Sequence, residues 1–89
     1  MLKDREIYRR TLAKWGEEAQ YDQAVEECAE LIAALKHFRR GKVGAERVVE
    51  ELADVCLMTG QLAFMFGEEN VRAAVRAKLE KLSDLLENS

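Results

Sequence analysis

A chain of 89 residues is long enough for one domain and too short for two, because a second core would need about 50 more. Its composition, 48% hydrophobic and 35% charged with no proline, excludes disorder and favours helices over sheet. A net charge of −3 with both signs interspersed lacks the basic stripe of a nucleic-acid binder, so no nucleic-acid partner is expected.

The start, MLKDREIYRR, is charged throughout and has no signal-peptide core. No run approaches the roughly 18–20 apolar residues of a membrane span, so the reading is cytoplasmic, with no membrane partner. The first helix is expected at about residues 3–15, with Tyr8, Leu12 and Trp15 at i, i+4, i+7 and an end at Gly16. EEAQ then reads as a short connection. The second helix, at about residues 21–40, has Val25, Cys28, Ile32 and Leu35 as its expected core stripe and Lys36, His37, Arg39 and Arg40 in its last turn. Cys28 and Cys56 are far apart and not in CxxC spacing, so both read as small buried apolar residues.

The third helix, at about residues 45–66, is apolar almost all round from Leu52 to Phe66 and should therefore be covered on every side. The fourth, at about residues 69–86, lines up Val71, Val75, Leu79, Leu82 and Leu86. A chain this short buries only roughly 60–65% of its unfolded surface. The expected architecture is all-α: one domain over residues 1–89, a four-helix bundle completed by a tight dimer interface.

The chemistry gathers at carboxylates. At about 100° per residue, Glu26 and Glu27 lie about 40° and 60° from Glu30, and Glu50 and Glu51 stand about 40° and 60° from Asp54. Like charges so spaced destabilise a helix, and a carboxylate such as Asp54 entering an apolar segment needs a partner. A hard divalent cation with oxygen preference supplies one. The plain alternative is a solvated acidic face. Lys78 adds a second signal, because it lies at the centre of the last helix's apolar face, where it either snorkels or reaches an anion.

The pattern Glu26-Glu27-x-x-Glu30 followed by Glu51-x-x-Asp54, with Lys78-Leu79 in the last helix, resembles the MazG-like all-α nucleoside triphosphate pyrophosphatases, in particular small single-domain phage-type members. The resemblance implies hydrolysis of a nucleoside or deoxynucleoside triphosphate to the monophosphate and pyrophosphate in a homodimer or dimer of dimers. It implies Mg²⁺ as cofactor, one or more ions per site with Mn²⁺ as substitute. Glu27, Glu30, Glu51 and Asp54 would be the metal ligands and Glu26 the catalytic base or a second-metal ligand. Lys78, Lys81, Arg39, Arg40 and Lys36 would hold the phosphates, and Trp15 and Gln20 would lie beside the base.

Lys81 departs from the arginine common at that place, which loosens the expected phosphate grip. Phosphoribosyl-ATP pyrophosphohydrolases share the acidic pattern and are the nearest competitor. A di-iron bundle would want Glu-x-x-His pairs, and the single His37 has Ala34 three residues before it. A non-enzymatic helical dimer acting as an adaptor is the reading from another class.

Overall fold

A computed structural model describes residues 1–89 as three helices without strands: α1 (Asp4–Arg39), α2 (Ala45–Phe66) and α3 (Glu68–Glu87). The first two expected helices are thus one element of 36 residues in which only Gly16, at φ 86° and ψ 170°, leaves helical geometry. The expected EEAQ connection is itself helical. A single residue makes the corner because Gly16 sits where L-residues are strained, so the hydrogen-bond ladder breaks and resumes at once. Gly16→Ala is expected to lower stability by about 1–3 kcal/mol in urea denaturation, from backbone strain alone. An added Cβ would meet nothing within 4 Å, so a neutral result would mean that the corner is not imposed by this residue.

α1 closes with paired bonds, Gly41 N–H to Phe38 O and Lys42 N–H to His37 O, both 2.9 Å, a standard way to satisfy the last carbonyls of a helix. The chain then reverses, and α2 runs back antiparallel along α1, setting Tyr21 beside Phe66 with ring centroids 6.0 Å apart. Gln20, Ala24 and Ala34 of α1 are buried against Glu51, Met58 and Gln61 of α2. Alanines at this seam let two backbones approach closely. Beyond the Gly16 corner, the first part of α1 crosses back over α2. There the Gln61 amide donates to the Tyr8 carbonyl at 3.0 Å, and Tyr8 packs on Phe64.

The expected core stripe faces elsewhere. Val25, Cys28, Ile32 and Leu35 are all exposed in the chain, Val25 by 69%, and Cys28 and Cys56 are exposed too. The reason is that α1 has two usable faces, and the small-residue face wins the intrachain contact. α2 likewise is covered only toward α1, leaving Val49, Leu52, Leu57 and Phe66 exposed. No residue of α3 is buried, and its only ion pair to α1 is Arg5 to Glu68 at 2.9 Å.

The chain is consequently expanded. Its radius of gyration is 16.0 Å, against about 12 Å for a compact domain of this length. Its accessible surface of 7205 Å² exceeds by about 1,900 Å² what a compact 10.2 kDa protein presents. No helix is long and apolar enough to cross a membrane.

Candidate metal centre

The antiparallel pairing of α1 and α2 brings the two acidic doublets together. Glu27 and Glu30 share one side of α1, Glu51 and Asp54 one side of α2, and the hairpin register sets Glu27 by Asp54 and Glu30 by Glu51. One carboxylate oxygen from each of the four lies within 4.8 Å of all the others. Glu51 is buried, Glu27 half-buried, and Glu30 and Asp54 line the open side.

Partners within the protein are few. Gln23 Nε2 donates to Glu27 Oε1 at 2.9 Å, and Arg47 stands 3.7 Å from Glu51 Oε1. Glu27 Oε2 and Glu51 Oε2 are enclosed and accept no hydrogen bond. Enclosed carboxylate oxygens without donors are costly, and four acids facing one cation are not neutralised. The donor set is all oxygen, with neither cysteine nor His37 among it, which suits a hard divalent ion and not a thiophilic one. These residues fit such an ion on two independent grounds, their convergence and their two orphaned oxygens.

The electrostatics carry the same signature. Burial, then the neighbouring Asp54 and Glu30 carboxylates, push the Glu27 carboxyl above the ordinary glutamate value, with Gln23 pulling the other way. Burial and Glu30 raise Glu51, which Arg47 partly offsets. A raised folded-state value means that the fold favours the proton. The associated stability is present in full below the ordinary value of 4.5 and is lost as pH rises through the raised values. The melting temperature of the cation-free protein is therefore expected to fall as pH climbs from below 4.5 toward neutrality, and saturating Mg²⁺ should remove that slope.

Glu6, lowered by its hydrogen bond to Arg9, works in the opposite sense, with stability lost as pH falls through its lowered value. That contribution is common to wild type and Glu27→Gln, so the difference between their scanning-fluorimetry profiles isolates the cluster. Identical profiles would mean that the carboxylates do not interact.

The remaining expected residues are placed less uniformly. Glu26 is exposed and stands outside the four convergent acids, about 40° round α1 from Glu30. Trp15 and Gln20 line a cleft of about 490 Å³ together with Thr11, Gln23, Leu57 and Met58, and Gln23 joins this cleft to the carboxylates. Trp15 is 60% exposed, with Lys14 Nζ 4.9 Å from its ring centroid, so it is a wall and not core.

Lys36, Arg39 and Arg40 form one basic recess. By helix geometry Lys36 lies about 180° from Glu27 and Arg39 about 180° from Glu30, and no ion pair joins any of the three to an acid of the chain. Lys78 and Lys81 are exposed on α3 and pair with no acid. Gln23 and Arg47 escaped the sequence reading, although each stands four residues before the glutamate it contacts, a spacing at which helix side chains meet. Compared with protein-family models, curated proteins and solved structures, the chain matches none.

Proposed function

We propose that the protein is a nucleotide pyrophosphohydrolase dependent on Mg²⁺, working as a dimer on nucleoside triphosphates in the cytosol. The observation that carries this reading is the convergence of Glu27, Glu30, Glu51 and Asp54, with two enclosed oxygens lacking partners, beside a cleft walled by Trp15 and Gln20. The spacing of the same acids resembles the MazG-like pattern. Glu27, Glu30, Glu51 and Asp54 would hold the metal. When bound, it supplies positive charge that acidifies a coordinated water and offsets charge on phosphate oxygens.

Around it, the chain's own groups divide the work. The cleft holds the base, which orients the triphosphate toward the acids. A water oxygen bonds to the α-phosphorus as the bond to the bridging oxygen breaks, pyrophosphate departs, and Glu26 accepts the water's proton. Lys78 and Lys81, free of acid partners in the chain, are the available cations for the outer phosphates.

The dimer rests on the uncovered surface. About 1,900 Å² of excess area per chain is what a permanent interface of about 3,800 Å² in total removes. Tyr21, Val25, Cys28, Ile32 and Leu35 lie on the side of the α1–α2 hairpin away from the acids' open mouth, so a second copy there leaves the mouth free. Two hairpins face to face make a four-helix bundle.

Incubation of purified protein with Mg²⁺ and a panel of ribo- and deoxynucleoside triphosphates tests the activity. Equimolar monophosphate and pyrophosphate is the expected result. Release of inorganic phosphate would overturn the position of cleavage, and an absence of turnover across the panel would overturn the reading.

A further inference from the structure

We infer that Gln23 is a positioning residue that ties occupancy of the cleft to the geometry of the metal-binding carboxylates. Its side chain has two environments at once. The amide nitrogen donates to Glu27 Oε1 at 2.9 Å, and the same side chain lines the cleft with Trp15, Gln20 and Met58. The orientation of the amide follows from chemistry, because an ionised carboxylate only accepts and the NH₂ end must face it.

Two consequences follow from that orientation. Glu27 Oε1 is held by Gln23, so the enclosed Oε2 is the oxygen left for a cation. The carbonyl oxygen of Gln23 is left to accept a hydrogen bond from whatever occupies the cleft. Gln20 stands one turn earlier on α1, is 5% exposed and has no hydrogen-bond partner in the protein, which makes its amide a second group awaiting the same occupant. An occupant with an N–H edge, such as a nucleobase, therefore immobilises Gln23 and with it the Glu27 carboxylate. Placing the base in the cleft rests on the function proposed above, whereas the action of Gln23 on the metal does not.

Coupling of this kind is reciprocal: a cleft ligand that tightens cation binding is itself tightened by the cation. Phosphate-free deoxynucleosides (deoxyadenosine, deoxycytidine, deoxyguanosine and thymidine) are the probes, because they lack the phosphates that would chelate Mg²⁺ directly. Mg²⁺ is titrated calorimetrically into wild type and Gln23→Ala, with and without each nucleoside. Trp15, the single tryptophan and a wall of the cleft, reports nucleoside binding by fluorescence.

Gln23→Ala should weaken Mg²⁺ binding about 10- to 100-fold without nucleoside, the usual loss when a group orienting a metal ligand is removed. In wild type one or more nucleosides should tighten Mg²⁺ about 5-fold or more, and in Gln23→Ala none should. Alanine is the better helix former, and unchanged circular dichroism would show that the variant keeps its fold. Wild-type Mg²⁺ affinity in Gln23→Ala would overturn the positioning role. A Trp15 response to nucleoside with no change in Mg²⁺ affinity would overturn the coupling alone, and no Trp15 response to any nucleoside would overturn both the coupling and the placement of the base.

Discussion

Asp54→Asn and Glu27→Gln are each expected to lower kcat/KM for triphosphate hydrolysis by at least about 100-fold and to raise the melting temperature of the cation-free protein. The two effects have one cause. In each variant a neutral amide replaces a member of a group whose ligand oxygens lie within 4.8 Å of one another, so the fold loses repulsion while the metal loses a ligand. Calorimetric titration of Mg²⁺ should show the corresponding loss of affinity. A solvated acidic face on a non-enzymatic dimer predicts a different pairing, in which wild type binds no Mg²⁺ and the variants differ only in stability.

Glu26→Gln separates the remaining role, because Glu26 is exposed and outside the convergent four. A base there would show as a fall in kcat at unchanged Mg²⁺ affinity, with the limb of the pH–rate profile that reports the base removed. Loss of Mg²⁺ affinity instead would make it a ligand.

Ile32→Glu is the second large effect: it should convert the dimer to monomer at micromolar concentration, weakening self-association about 1,000-fold, equivalent to about 4 kcal/mol. Ile32 is 58% exposed in the single chain, so a glutamate there would be nearly neutral for the hairpin itself. In a dimer covering this face, the same carboxylate is taken out of water without a partner. Sedimentation equilibrium reads the change directly. The wild-type melting temperature should also rise with protein concentration, because a fold that buries only 6 of 89 residues on its own leans on association. A wild-type chain that sediments as a monomer with a concentration-independent melting temperature would remove the dimer.

The all-helical character and the pairing of the acids along each helix were legible in the sequence because both depend on local spacing, whereas the expected break over EEAQ shrinks to Gly16 alone. Glu27 with Glu30, and Glu51 with Asp54, share a helix face whatever the tertiary structure, and Gly16 marked its corner by residue type alone. What the sequence could not say is which face of α1 would meet α2. Val25, Cys28, Ile32 and Leu35 form the more hydrophobic stripe, yet the seam is Gln20, Ala24 and Ala34, where the two alanines allow close approach and the stripe is left outward. Apolar periodicity marks a face that can be buried and does not say which face of α1 meets α2. Lys36, Arg39 and Arg40 follow the acids closely along the chain but gather in a recess of their own, with no ion pair to any acid of the chain.

The corner at Gly16 has a bearing on access. Thr11 and Trp15 precede it, whereas Gln20 and Gln23 follow it, and together they line one cleft. The width of the cleft is therefore set by the two backbone torsions at Gly16, together with the contacts that seat residues 4–15 on α2, the Gln61–Tyr8 hydrogen bond and the Tyr8–Phe64 ring pair. A ligand that stacks on Trp15 and bonds to Gln20 would hold both sides of the joint, and slowed amide exchange along residues 4–15 would record its arrival far from any atom it touches.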